Sequence, residues 1–390
     1  MEPEYDYLLA GGGAAGLSLA YHLSQEPRLR GKRVLLLEPA AKEQNDRTWS
    51  FWTDQPTPYD AVLAAEWRQL AFRSPQFSVV LPLRRHRYCT LRGLDFYRFV
   101  QAALAARPAQ FTRVEARVEH LVNTPAGVVA HTSAGEFRAR YAFDSRPPHL
   151  TPRPDRRYLW QHFVGWEVET DFDAFDAATP VFMDFTVPQQ RECRFVYVLP
   201  FGPRRALVEY TLFSSQLLQP AEYEEALRAY LHQLLAGRPY RVAETETGAI
   251  PMTDHSFEAR DGAHIVNLGT RGGRVKASTG YAFLRMQQQA ARLTEALATT
   301  GTLPHDLTGD RWQFHLFDTL LLDIMQRRGE RTRDIFAELF QRNPVERILD
   351  FLDERTTWPQ NLQVMNSVTP WPFLRSIVQV LRGQPGKREE

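Results

Sequence analysis

The chain has 390 residues, and its 47 basic and 46 acidic side chains leave a net charge of +1, which gives no electrostatic case for a nucleic-acid partner. Two cysteines, Cys89 and Cys193, cannot build a disulfide framework and point to a reducing compartment. No apolar run approaches the roughly 18 residues of a spanning helix, no group of side chains has metal-ligand spacing, and the charged N-terminus is not read as a signal peptide.

Residues 5–38 read as strand, glycine-rich turn, helix, strand and acid. An apolar stretch runs into Gly11-Gly12-Gly13-Ala14-Ala15-Gly16, then a helical run with Leu17, Ala20 and Leu23 inward, then Val34-Leu35-Leu36-Leu37-Glu38. In this context Gly11 permits the tight turn, Gly13 lets a pyrophosphate approach the backbone, and Gly16 lets helix and strand pack closely. The N–H groups at the helix start attract phosphates, and Glu38 is placed to accept from the ribose hydroxyls. Gly11, Gly13, Ala15, Gly16 and Glu38 are therefore assigned to a dinucleotide, most simply in an NAD dehydrogenase or an FAD oxidoreductase.

Further on, Arg47-Thr48-Trp49-Ser50-Phe51-Trp52 is too aromatic for an ordinary solvent loop. Arg47 is expected to reach the cofactor, with Trp49 and Trp52 walling a pocket. A strand is expected near 77–83, a helix to about 106 with Asp95 as its N-cap, a hairpin over 114–131, and a short buried strand ending in Asp144-Ser145-Arg146. Pro147-Pro148 marks an exit from the first domain. Residues 158–213 read as an antiparallel sheet over the cofactor domain, with strands at 161–168, 181–186, 194–199 and 206–213, followed by a helix over 221–235. A return strand at 264–268 runs into Gly269-Thr270-Arg271-Gly272-Gly273 and Ser278-Thr279-Gly280-Tyr281, then a helix with Met286, Ala290, Leu293 and Leu297 on one face. This is where flavoproteins of such architecture hold the ribityl chain and ring, so Gly269, Gly273, Thr279 and Gly280 join the cofactor assignment. The expected fold is α/β (α+β overall). It comprises a discontinuous Rossmann-like FAD-binding domain (1–150 and 245–300), an antiparallel-sheet substrate domain (151–244) and a helical C-terminal region (301–390). The last of these is expected to hold helices at 312–326, 332–341 and 344–355, with Pro344 in a first-turn position, and ends in a Pro-flanked amphipathic segment at 370–382 suited to a membrane surface.

Several of these stretches together resemble the flavin-dependent lycopene β-cyclases of bacteria and plants. They include the N-terminal fingerprint, Arg47–Trp52, Asp144-Ser145-Arg146, Trp160-Gln161-His162-Phe163-Val164-Gly165-Trp166, Met183-Asp184-Phe185, Val208-Glu209-Tyr210-Thr211, Gly248-Ala249-Ile250-Pro251-Met252 and Ser278–Tyr281. The resemblance runs from Tyr5 to about Leu381. It departs from the family at Lys276-Ala277, where plant members have His-Pro; at Gly269-Thr270, where related flavoproteins have Gly-Asp; and at Tyr210, where plant members have a second acid. The resemblance implies closure of the ends of lycopene into β-ionone rings without net redox change. It implies reduced FAD, with NAD(P)H as the electron source that keeps it reduced, and Glu209 as the acid–base group in an apolar setting that raises its pKa. Trp49, Trp52, Trp160, Trp166 and Tyr281 are then the aromatic wall of the substrate pocket. It also implies peripheral attachment to the cytoplasmic face of the membrane, with other carotenoid-pathway enzymes as candidate partners. Two alternatives stay open: a monooxygenase or isoprenoid-chain reductase of the same architecture, and a flavin- or carotenoid-binding protein without turnover.

Overall fold

The structure is a computed structural model that describes residues 4–148, 150–307, 309 and 311–382. In chain order the first part gives β1 (Tyr5–Ala10), α1 (Ala14–Gln25), β2 (Val34–Leu37), β3 (Thr48–Thr53), β4 (Ala65–Trp67), β5 (Gln69–Arg73), β6 (Ser78–Pro82), β7 (Arg87–Arg92), α2 (Gly93–Ala105), β8 (Phe111–Val114), β9 (Val118–Thr124), β10 (Gly127–Thr132) and β11 (Gly135–Asp144). Then come β12 (Tyr158–Glu169), β13 (Val181–Asp184), β14 (Cys193–Gly202), β15 (Arg205–Ser214), α3 (Pro220–Leu234), β16 (Arg241–Thr253), β17 (Arg260–Asp261), β18 (Ile265–Asn267) and α4 (Phe283–Thr300). The tail forms α5 (Trp312–Arg328), α6 (Arg331–Arg342), α7 (Val345–Leu352), α8 (Trp358–Met365) and α9 (Pro370–Leu381).

The first sheet runs β17-β18-β11-β1-β2-β8, with β10 and β9 added beyond β11. Strands β18, β11, β1, β2 and β8 are parallel. Buried on both faces, β1 and β2 are near-continuous apolar runs, as parallel strands must be. One face packs on α1, α2 and α4 through Leu9, Leu17, Leu23, Leu293 and Leu297; the other is covered by β9 and β10 through Val118, Val128 and Ala130. Return strand β18 pairs with β11, not with β1.

The second sheet has the order β16-β12-β15-β14-β13-β5-β6. It extends beyond residues 151–244 at both edges, taking β5 and β6 from the first 150 residues and β16 from the return segment. Strand β16 is thirteen residues long and pairs with β12 along its whole length. Its ladder hydrogen bonds fix it there, even though the chain continues from it into the cofactor domain. One face of the sheet, with Trp166, Val196, Val208 and Leu212, packs on α3. That helix starts with a capping box between Gln219 and Glu222 and with Pro220 in its first turn. The other face, with Phe195, Tyr197, Leu207 and Phe213, packs on α5, α6 and α7.

Two expectations need correction. Helix α2 begins at Gly93, with Arg92 at its N-cap position, so Asp95 lies inside the first turn and not at the cap. Pro344 is the N-cap of α7 and not its first-turn residue. Helix α8 is absent from the sequence reading: Thr357 and Gln360 form a capping box there, but only Asn361 and Val364 are buried, so the apolar periodicity is weak. Residues 383–390 of the expected tail region lie outside the described residues.

The tail is tied down by buried charge. The guanidinium of Arg157 contacts Asp254 Oδ2 at 3.0 Å and Asp323 Oδ1 at 3.2 Å, and Asp323 also holds Arg327 at 3.0 Å. Asp323 is fully buried. Removing one partner of a buried pair leaves the other charge uncompensated, at a cost of about 3–5 kcal/mol. Asp323→Ala is therefore expected to lower unfolding free energy by about that much, read as a fall in the urea midpoint.

Candidate active site

The N-terminal turn is braced from two sides. Ser145, just past β11, donates to the Ala10 carbonyl at 3.0 Å and the Gly11 carbonyl at 3.1 Å. A methyl group at Gly16 would overlap the Gly11 carbonyl oxygen. Gly13 faces open space in a cleft of about 1170 Å³, whose lining includes Gly11, Ala15, Glu38, Arg47, Trp49 and Gly269. The cleft exceeds the roughly 300–1,000 Å³ of a drug-sized pocket, as a dinucleotide requires. Glu38 is buried and accepts from the Gly12 N–H at 2.6 Å and the Ala40 N–H at 3.1 Å, which holds its carboxylate at the cleft edge. Gly269 adopts φ +55° and comes so near the start of α1 that a Cβ would sit 2.7 Å from that of Ala15. Its N–H donates to Gln289 Oε1 at 3.2 Å. These residues fit FAD: an open backbone at Gly13, an acid at the ribose position, and a return loop pressed against the helix start.

The remaining cofactor assignments divide. Arg47 lines the cleft, part-exposed, with its guanidinium 3.6 Å from Asp46. Gly280, at φ +73°, packs directly on Gln161, and the buried Thr279 hydroxyl lacks a protein partner. Gly273 is not brought to this cleft; it lines a separate pocket with Arg274, Arg311 and His315. Where related flavoproteins carry the Gly-Asp acid, Thr270 lines the cleft, and the neighbouring Arg271 pairs with Asp144 at 3.0 Å. Lys276, in place of the His-Pro histidine, is buried and donates to Asp318 at 2.8 Å and Glu354 at 3.1 Å, so it clamps the loop to the tail. Burial works against its charge, but these two carboxylates hold its pKa above the ordinary lysine value.

Glu209 lies near the centre of the second sheet, on the face turned away from α3. The strand register aligns four residues side by side: Tyr197 on β14, Glu209 on β15, Gly165 on β12 and Glu246 on β16. Strand alternation puts Tyr210 on the opposite face, where its hydroxyl accepts from Arg194 at 3.2 Å. A second acid at position 210 would therefore point away from Glu209. Glu209 sits deep in the protein yet keeps partial accessibility. Thr211 donates to its Oε1 at 2.7 Å. Burial and the adjacent Glu246 carboxylate push its pKa far above the ordinary glutamate value.

The aromatic assignments are also sorted by the structure. Tyr281 is close to Glu209 and places its hydroxyl 3.3 Å from that of Tyr197, with Tyr88 also beside the carboxyl. Trp52 is buried, packs edge-on to Tyr281 at 4.7 Å and donates to the Leu349 carbonyl at 3.2 Å, so it fills core between the site and α7. Trp49 stacks on Phe283 at 5.5 Å and lines the cofactor cleft, as does Trp160. Trp166 is not in the pocket: it faces α3, under the Arg228 guanidinium. The alternation that brings Gly165 to the Glu209 face turns its neighbour Trp166 away. The sequence reading misses Tyr88, Tyr197 and Glu246. Glu246 carries a faint signal, since Glu244 and Glu246 alternate in an otherwise mixed strand.

The family model described as "Lycopene cyclase protein" matches residues 6–378. A lycopene β-cyclase of a Paracoccus species is 30% identical over 408 residues, covering 99% of each chain. One from Pantoea ananas is 25% identical, covering 98% of this chain and 99% of its own. Among solved structures, p-nitrophenol 4-monooxygenase of Pseudomonas putida aligns over the whole of both chains with TM-score 0.60 and 16% identity. A geranylgeranyl bacteriochlorophyll reductase-like protein of Thermoplasma acidophilum covers 98% of both chains, with TM-score 0.58 and 13% identity. At such identities the structures establish the shared fold alone, whereas the sequence match is to one family over nearly the full length; the chain belongs to the lycopene cyclase family.

Proposed function

We propose that the chain is a lycopene β-cyclase that closes the acyclic ends of lycopene into β-ionone rings by proton transfer at Glu209, with FAD bound in its reduced form. The observation that carries this reading is the placement of Glu209: a carboxyl deep on the inner face of the second sheet, beside Tyr88, Tyr197 and Tyr281, where burial and Glu246 raise its pKa far above the ordinary glutamate value. A carboxylic acid that keeps its proton at neutral pH can protonate an alkene, and its conjugate base can take a proton back. The proton leaves Glu209 for the terminal double bond, the neighbouring double bond closes the ring on the resulting cation, and a ring proton returns to the carboxylate. Tyr88, Tyr197 and Tyr281 surround the reacting end with ring faces that favour a cation and with packing that excludes water. The Gly11–Gly16 turn, Glu38 and Gly269 would hold reduced FAD, which would supply an anionic group favourable to the cation, and NAD(P)H would serve only to keep it reduced. Incubating the reduced holoprotein with lycopene and analysing the product tests this. Unchanged mass with blue-shifted absorption supports cyclisation; gain of oxygen or of two hydrogens would instead identify a monooxygenase or reductase.

Attachment to the cytoplasmic membrane face is part of the same proposal, since lycopene dissolves in bilayers. No helix among the described residues is long and apolar enough to cross a membrane. Of the thirteen exposed large apolar residues among the described ones, nine belong to α5, α8 and α9, with Trp371 71% and Leu381 81% exposed. Helix α9 packs on α5, where Ser376 donates to the Leu320 carbonyl at 3.1 Å, and the outer face of α9 is left apolar. Such a face with arginines beside it suits an interface. The double change Trp371→Glu and Leu381→Glu is expected to reduce co-flotation with liposomes at least several-fold with the fold intact. Undiminished flotation would argue against attachment through α9.

A further inference from the structure

The acid–base chemistry proposed above needs more than one glutamate. A lone carboxyl buried among tyrosines would keep its proton, but once the proton had gone it would offer the cation a single negative charge and would reclaim the ring proton less strongly than a paired one. The sheet supplies a second group. Residue 165, opposite both Glu209 on β15 and Glu246 on β16, is glycine. Any other side chain there would stand between the two acids. A Cβ at Gly165 would lie 3.0 Å from Glu246 Cγ and 3.3 Å from Glu246 Oε1, so the Glu246 side chain lies across the gap that the glycine leaves.

Glu246 is more than nine-tenths buried. Its Oε2 accepts from the Thr48 hydroxyl at 2.7 Å, but its buried Oε1, on the side of the Gly165 gap that leads to Glu209, meets no hydrogen-bond donor. A buried acceptor without a donor is costly. Two carboxylates in contact cannot both be ionised cheaply, so one proton between them satisfies both. We propose that Glu246 is a positioning residue for proton transfer: across Gly165 it shares a single proton with Glu209 and stays the ionised member of the pair.

The surroundings assign the roles. Burial works against the charge of Glu246 and leaves its pKa above the ordinary glutamate value, but Thr48 and Arg47 at the start of β3 and Arg92 at the end of β7 all favour that charge. Facing Glu209 are Tyr88 of β7, Tyr197 of β14 and Tyr281, none of them cationic. The nearby Glu167 of β12 is already matched by Arg92 at 3.2 Å and by Arg205. The proton therefore rests on Glu209, the member facing the aromatic end. When it passes to the alkene, two adjacent carboxylates face the new cation and offset its charge. Their mutual repulsion makes Glu209 a stronger base for the proton lost from the ring carbon. The carbon skeleton gains one C–C bond, Glu209 ends as it began, and no electrons are exchanged.

This inference rests on the cyclase reading, and the test separates the two. Cyclisation rates of the reduced holoprotein are measured against pH for wild type, Glu209→Gln, Glu246→Gln and Gly165→Ala, alongside infrared spectra in the protonated-carboxyl region. Activity needs protonated Glu209, so the rate falls as pH rises through its raised pKa. Removing the neighbouring charge lowers that pKa, so in Glu246→Gln the alkaline limb is expected to move about 1–3 pH units toward acid. Gly165→Ala, which wedges a methyl group between the acids, is expected to shift it in the same direction. In wild type a protonated-carboxyl band should be present at neutral pH, be lost in Glu209→Gln, and change frequency in Glu246→Gln, where the neighbouring carboxylate is gone. That readout needs no substrate. A Glu246→Gln profile superimposable on wild type, or an infrared band that survives in it unchanged, would overturn the shared proton. An active Glu209→Gln protein would instead overturn the cyclase assignment of Glu209.

Discussion

Glu209→Gln is expected to lower cyclisation by about 10²–10⁴-fold, the usual worth of a positioned general acid, with flavin content unchanged. Glutamine keeps the shape and can still accept from Thr211, but it has no transferable proton. Glu209 is not among the lining residues of the Gly11–Gly16 cleft, so the cofactor should stay. The measurement pairs product analysis from lycopene with the flavin absorbance of the purified protein. A variant that binds flavin and cyclises at the wild-type rate would remove Glu209 from the mechanism. The uncharged variant should also be no less stable, and could be slightly more so, because a buried carboxyl whose folded pKa is raised penalises the native state as pH climbs above the unfolded value.

Gly16→Ala is expected to abolish flavin binding and give colourless protein. The added methyl overlaps the Gly11 carbonyl oxygen and meets Ser145 Oγ at 3.0 Å, so the turn, the start of α1 and the end of β11 must all move apart. Overpacking of this sort typically costs about 1–3 kcal/mol, enough to displace the N–H groups that would hold the pyrophosphate. Gly13→Ala makes the control. A methyl there meets no protein atom within 4 Å, so stability should hold while flavin affinity falls, because the added group occupies the space of the ligand. If Gly16→Ala retained wild-type flavin content in a thermal-shift and absorbance assay, the close-packing account of this glycine would be wrong.

The nucleotide fold is legible in the sequence because its physics is local. A Gly-rich turn between two buried parallel strands leaves a pattern within about thirty residues, in which Gly11 and Gly16 each answer to a nearby atom and Gly13 to open space. The antiparallel strands at 158–214 are legible for the same reason, through alternation. The extent of the second sheet is not, because β5, β6 and β16 join it by pairing with strands far away in the chain, and nothing in their own residues says which sheet they enter. The same limit governs the site. Glu209 is found by motif, but Tyr197, Gly165 and Glu246 become its neighbours only through register, which depends on strand partners. Trp166 shows the converse: an aromatic next to the right glycine, on the wrong face by one residue. Trp52 reads as a pocket wall because it is aromatic, yet its indole N–H serves the tail helix α7.

The row Tyr197–Glu209–Gly165–Glu246 sits at one depth, on one sheet, once per chain. Lycopene has two identical ends separated by a stiff conjugated rod, and a rod cannot fold back to present its second end to the same carboxyl. If both ends of one molecule are to be closed, it must withdraw, turn end for end in the bilayer and enter again, or pass to a second copy of the protein. The half-finished product is then a free species in the membrane. Its build-up and decay during a time course are set by how tightly the first ring is released, which makes the ratio of one-ring to two-ring product a property of affinity and lipid volume rather than of the chemical step.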